Sequence, residues 1–151
     1  MPFGQIKGEM SESDATLTYN RIGRHQSMSV PTRVASVHSP GMAAVEVGDI
    51  HTVPISHGEG RFCAPKELLD KLVENGQVAF QYVDLSGNAT SDIRFNPNGS
   101  DLAIEGILSP DGRILGKMGH SERVGDLLQK NLPDATSDQL KIFESGVKYF
   151  K

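Results

Sequence analysis

Two residues in this chain are suited to working as a proton-transfer pair: His120 and Glu122, separated by a single serine in GKMGHSERV. An acid held against one ring nitrogen fixes an imidazole's tautomer and stabilises its protonated form. The other nitrogen is then left to take a proton from a nucleophile. The pair follows a predicted strand and precedes a predicted helix, a placement that can hold a histidine at the rim of a sheet. An HxE pair also describes an ordinary surface histidine beside an ion-pairing glutamate, so the motif needs its context. A second concentration of polar chemistry is SHGEGRF at residues 56–62, where His57, Glu59 and Arg61 share one short loop and glycines flank Glu59. Glycine lets a backbone turn sharply or approach a ligand closely. NPNGS at residues 96–100 reads as a turn, since Asn, Pro and Gly each favour one. From these loops, His57, Glu59 and Asn98 are expected near a substrate pocket or a domain interface.

Cys63 is the only thiol. It follows Phe62 at the mouth of a predicted helix and lacks the glycine-flanked strand-to-helix turn that exposes a nucleophile, so it is expected to be a small buried hydrophobe. One cysteine excludes an internal disulfide and fits a reducing, cytoplasmic setting. There is no GxxxxGKS or GxGxxG phosphate loop and no CxxC, so nucleotide and structural-zinc readings lack their usual handles. His51, His57, His120, Glu59 and Glu122 match no helical ligand spacing, and no metal is expected.

The elements that must position these residues show in the periodicity. Leu17, Tyr19, Ile22, Met28, Val30 and Val34 alternate loosely with polar residues and predict strands within residues 16–36, as a twisted hairpin. Residues 42–55, rich in Val, Ile and Ala, predict a buried strand running into the glycine-containing loop. Residues 65–74 predict an amphipathic helix, with proline at its start, Leu68, Leu69, Leu72 and Val73 on one face, and Asn75 and Gly76 as its stop. Residues 77–83 alternate as a strand, followed by a turn at 84–88. LAIEGIL and RILGKMG flank SPDG and predict a β-hairpin over residues 102–119. A short helix is expected at 124–130. Ser137 is placed to cap a last helix in which Leu140, Phe143, Val147 and Phe150 share a face. Strands mixed with helices give an α/β or α+β domain, with no repeat or linker to split it.

At 151 residues and 16.3 kDa the chain has room for one core. Its net charge of −4, with scattered basic residues, argues against nucleic acid or an anionic membrane as partner. No stretch approaches the length of an apolar membrane span, and the first residues have no signal pattern.

In this order, DIHTVPISHGEGRF, GQVAFQYVD, FNPNGS, LAIEGILSPDGRILGKMGHSERV and KIFESGVKYF closely resemble the last part of phosphoribosylformylglycinamidine synthase. The resemblance spans nearly the whole chain. It implies the later portion of a class I glutamine amidotransferase-like three-layer α/β sandwich, with β-hairpins and a C-terminal helix. It also implies an activity, release of ammonia from glutamine for the ATP-dependent amidation of formylglycinamide ribonucleotide in purine biosynthesis. His120 would be the base that activates a cysteine, and Glu122 would orient it. ATP and magnesium would belong to a synthetase part outside these residues. In this family the cysteine sits in a GxCxGxQ-like elbow ahead of a segment resembling PFGQI. The 151 residues are therefore expected to be a partial domain that follows the elbow, inactive alone and partnered by the nucleophile-bearing and synthetase segments. A stand-alone or split binding protein derived from this domain is the alternative. HSERV also departs from the HPERV common in relatives, between the two triad positions.

Overall fold

The computed structural model describes residues 14–123 and 141–151. The helix expected at 124–130, the capping Ser137 and Leu140 lie outside the described residues, as do residues 1–13. Seven strands and two helices make up the described elements: β1 (Thr16–Thr18), β2 (Gln26–Val34), β3 (Ile50–His57), β4 (Arg61–Cys63), α1 (Lys66–Glu74), β5 (Val78–Tyr82), β6 (Ile104–Leu108), β7 (Leu115–Lys117) and α2 (Lys141–Tyr149). Short 3-10 turns occupy Pro40–Met42 and Asp101–Ala103.

Five strands form an antiparallel sheet in the order β3-β2-β5-β6-β7, and β1 pairs with β4 in a separate ribbon. The two strands expected as a hairpin within residues 16–36 do form, but not against each other: β1 joins β4 and β2 lies between β3 and β5. Alternation gives a strand its faces and says nothing of its partner, which here is set by contacts distant in sequence. The strand expected from Met42 starts only at Ile50, because the 3-10 turn and a run of turns come first. The β6–β7 hairpin matches the expected reversal, with Gly106 opposite Lys117 and Leu108 opposite Leu115.

Helix α1 begins after Pro65, whose carbonyl accepts from the Leu68 and Leu69 amides. It stops at Asn75 and Gly76, where Gly76 takes φ of +65° and the Gln77 amide returns to the Leu72 carbonyl. Leu72 is buried and Leu68 and Leu69 pack on the core, while Val73 faces out. Strand β5 is buried on both faces, as a near-continuous apolar run requires. It feeds three clusters. Val78 packs with Phe62, Leu72 and Ile104, Phe80 with Val34, Met42 and Leu108, and Tyr82 with Val30, Val53 and Ile55.

Helix α2 departs from expectation in its orientation. Phe143, Val147 and Phe150 are exposed. Contact is instead made by Ile142, against the cluster around Phe80, and by Ser145, whose hydroxyl accepts from the Ala44 amide at 3.1 Å. A small polar residue allows close approach to the turn at residues 40–44, and apolar spacing alone could not reveal that.

The five-stranded sheet curls so that the chain leaving β7 reaches β3 at the opposite edge. The His120 amide donates to the Pro54 carbonyl at 2.8 Å. Proline has no amide hydrogen to offer a ladder, so Pro54 suits an edge strand, and this carbonyl is satisfied by the turn that carries His120.

Candidate functional site

The hairpin delivers His120 to the rim. The Met118 amide donates to the Glu105 carbonyl at 3.0 Å, extending the β6–β7 pairing, and Gly119 then passes directly against β3. A Cβ at Gly119 would overlap Val53 and come within 2.7 Å of Glu105 Oε1. Only glycine lets the chain pass there unchanged. Residues 120–123 then close a β-turn, with the Arg123 amide donating to the His120 carbonyl at 3.1 Å.

That turn brings the two residues of the HxE pair together. His120 Nδ1 and Glu122 Oε1 are 2.7 Å apart. Glu122 is mostly exposed, and its carboxyl is held below the usual glutamate range chiefly by its own backbone amide; burial opposes this, and the His120 bond adds a lesser lowering. The carboxylate is thus ionised at neutral pH and accepts from Nδ1–H. Nε2 of His120 has no hydrogen-bond partner among the described residues.

The loop at residues 56–62 is built differently. Asn20, 2% exposed, donates from Nδ2 to the Arg24 and His57 carbonyls at 2.9 and 2.7 Å. Its Oδ1 meets the Gly60 amide at 3.2 Å and His57 Nδ1 at 3.0 Å. Because both Asn20 amide hydrogens are used on carbonyls, Oδ1 is the acceptor and His57 carries its proton on Nδ1. Burial lowers the His57 pKa, and repulsion from His25 and His120 adds to that, so the ring is neutral at pH 7. Its Nε2 is a buried acceptor without a hydrogen-bond partner.

Asn98 clamps the other side of the loop. It is fully buried, and its Nδ2 donates to the Gly60 carbonyl at 2.6 Å and to the Tyr82 hydroxyl at 2.9 Å. Its Oδ1 accepts from the Ser100 amide at 3.3 Å and the Ser100 hydroxyl at 3.1 Å. Both ends of the Asn98 side-chain amide are thus engaged within the protein, and in this structure Asn98 is an internal brace of the loop. The three ionisable groups of the loop also diverge. His57 turns inward to Asn20, Glu59 is exposed, and Arg61 Nε donates to the Gly99 carbonyl at 3.2 Å. Sequence reasoning missed Asn20, whose only signal was an isolated asparagine after a short strand. It also missed Glu105 and Lys117, which lie behind His120.

Cys63 is half-buried rather than buried. Burial raises its thiol pKa, and the Asp101 carboxylate adds to the rise. This environment disfavours the thiolate, the opposite of what a nucleophile needs.

Residues 1–150 match the family model described as the CobB/CobQ-like glutamine amidotransferase domain. The chain belongs to this family. Among curated relatives it is 35% identical over 145 residues to phosphoribosylformylglycinamidine synthase subunit PurQ of Methanosarcina barkeri, covering 96% of this chain and 60% of that one. It is 41% identical over 141 residues to the subunit PurQ of Chlorobaculum tepidum, covering 93% and 57% respectively. The structure of PurLQS from Thermotoga maritima superposes with a TM-score of 0.68 at 28% identity, over 91% of this chain and 53% of that one. The mixed α/β architecture is thus shared with a solved relative. The chain spans about 60% of the length of these curated relatives. Among the described residues, no helix is long and apolar enough to cross a membrane.

Proposed function

We propose that this chain supplies the histidine and glutamate of a glutamine amidotransferase triad, and that the cysteine comes from sequence outside these 151 residues. The observation that carries the reading is the 2.7 Å contact between His120 Nδ1 and Glu122 Oε1 at the sheet rim. It assigns the imidazole a tautomer in which Nε2 is the base. In this scheme Nε2 takes the proton of the incoming thiol as its sulfur attacks the glutamine side-chain amide. The resulting imidazolium, stabilised by Glu122, then protonates the departing ammonia, and water hydrolyses the glutamyl thioester. Cys63 does not enter the scheme, because it lacks the glycine-flanked strand-to-helix turn that exposes a nucleophile; burial and Asp101 also raise its thiol pKa.

By analogy with the relatives named phosphoribosylformylglycinamidine synthase subunit PurQ, the ammonia serves purine biosynthesis. The synthetase partner, by the same analogy with PurLQS, is a separate polypeptide or segment, and ATP and magnesium act there. By this reading His57 and Glu59, on the loop at residues 56–62, would serve substrate binding near the site, which is supported by the repulsion His57 feels from His120. His57 offers a buried, unprotonated Nε2 as an acceptor.

The test is glutamate release from glutamine, measured for the chain alone and for the chain joined to a family segment carrying the GxCxGxQ cysteine. Alone, the chain is expected to match its own His120→Ala variant. Joined, it should turn over, and His120→Ala should lower kcat by about 10³-fold or more. Turnover by the chain alone that survives His120→Ala, or turnover by the joined protein indifferent to it, overturns the proposal.

A further inference from the structure

The residues behind the pair are charged, and their placement is unusual for a core. Glu105, the second residue of β6, is 2% exposed and has its side chain fully enclosed. Its Oε1 accepts from the Gly119 amide, immediately before His120, and faces Lys117 Nζ at 3.8 Å. Its Oε2 is buried without a hydrogen-bond partner. Lys117, at the end of β7, is 13% exposed at the side chain and sits over the Phe80 ring, with Nζ 4.6 Å from the centroid. That ammonium donates to the Ser121 hydroxyl at 2.7 Å, immediately after His120. Ser121 is itself 3% exposed. Two buried charges thus grip the chain on either side of the histidine.

We propose that Glu105 and Lys117 are positioning residues that mount the His120–Glu122 pair, with Glu105 anchoring Gly119 and Lys117 anchoring Ser121. Stability does not explain them. A buried ion pair separated by 3.8 Å, with one oxygen unsatisfied, is a poor stabiliser, and apolar residues of similar volume usually do as well or better. Geometry does explain them. In the β-turn of residues 120–123, Ser121 is the second residue and Glu122 the third. Whether Glu122 reaches Nδ1 therefore depends on the torsions at Ser121. This is the position where proline is most favoured, because its ring presets φ. Serine has no such ring, and the Lys117 bond to its hydroxyl supplies the missing restraint. Lys117 is in turn held by Glu105 and Phe80, so the restraint is referred back to the sheet.

The inference deepens the proposed triad role and rests on it for its catalytic meaning, but its test requires no turnover. In the 151-residue chain labelled with 15N-histidine, ring-nitrogen shifts report the ratio of Nδ1–H to Nε2–H tautomers at His120. Ser121→Ala removes only the hydroxyl that Lys117 grips, and it is expected to lower that ratio about five-fold, the worth of one hydrogen bond. Ser121→Pro should hold the wild-type ratio, since the ring replaces the restraint. Lys117→Met should repeat the Ser121→Ala loss, and adding Ser121→Pro should restore it. If Lys117→Met does not fold, the two Ser121 variants decide the matter alone. A merely structural ion pair would change the melting temperature and leave the tautomer ratio of the folded protein untouched. A ratio unchanged in Ser121→Ala, or lost as fully in Ser121→Pro, overturns the proposal. An inactive joined enzyme with the expected tautomer pattern would instead count against the triad reading and leave the mount standing.

Discussion

Two polar regions lie side by side on this domain and use hydrogen bonds to opposite ends. The loop at residues 56–62 is closed upon itself: Asn20 and Asn98 spend both ends of their amides on backbone, on Ser100 and on Tyr82. The turn at residues 120–123 is open, with a single contact between His120 and Glu122 and the second histidine nitrogen unengaged. Buried, saturated polar groups define shape, whereas exposed groups with spare capacity are the ones that can act. Substitutions should therefore separate the two regions: large stability losses in the first, and losses of chemistry with little change in stability in the second.

The largest stability effect is expected for Asn98→Ala. It leaves the buried Tyr82 hydroxyl without its Asn98 donor and the buried Gly60 carbonyl with only the long 3.4 Å bond from the Ser100 hydroxyl, at a cost of about 2–3 kcal/mol. Urea unfolding would measure it, and a loss below about 0.5 kcal/mol would remove the distinction between brace and site. Next comes Gly119→Ala, which forces a methyl group against Val53 and Glu105. Overpacking of this kind costs about 1–3 kcal/mol. Because the strain falls one residue before His120, the same variant should also displace the imidazole, seen as a changed His120 ring-nitrogen spectrum.

How much of this contrast was visible in the chain of letters follows from the physics. Helix α1, strand β5 and the β6–β7 hairpin carry their own punctuation, Pro65, Asn75 and Gly76 for the helix and SPDG for the hairpin, so local sequence suffices. The HxE pair was legible for the same reason, since a two-residue spacing is closed by one local turn. Pairing of β1 with β4 depends on residues more than forty positions apart. The inward roles of Asn20 and Asn98 depend on which carbonyls the fold brings to them. Spacing cannot distinguish an asparagine that binds a ligand from one that braces a loop, and only burial does. For α2, the apolar stripe of Phe143, Val147 and Phe150 pointed to the wrong face, because the described docking is made through Ile142 and Ser145.

A smaller effect is expected from pH. His57 has its pKa lowered chiefly by burial, so the native state binds its proton less readily than the unfolded chain does. The stability it contributes is fully present above the ordinary histidine pKa of about 6.5 and is lost as pH falls from there through the lower folded value. His57→Gln keeps a donor for Asn20 Oδ1 and should flatten this part of the stability–pH curve. An identical slope in wild type and variant would show that His57 is not the group responsible.

The smallest stability change sharpens the contrast most. Glu122 is largely exposed, so Glu122→Gln should alter unfolding free energy by no more than about 0.5 kcal/mol. Its carboxyl is depressed, so whatever stability it adds is present above the usual glutamate pKa and lost as pH falls through the lower folded value. Solvent screening keeps that contribution small. The neutral amide can still accept from Nδ1 but cannot stabilise an imidazolium, and an equivalent neutralisation in a serine-type triad costs about 10⁴-fold. In the joined, cysteine-bearing protein, Glu122→Gln should therefore lower kcat for glutamine hydrolysis by about 10²–10⁴-fold while melting is unchanged. If instead Glu122→Gln melted early and turned over normally, the open turn would be a structural element like its neighbour, and the division of labour between the two regions would collapse.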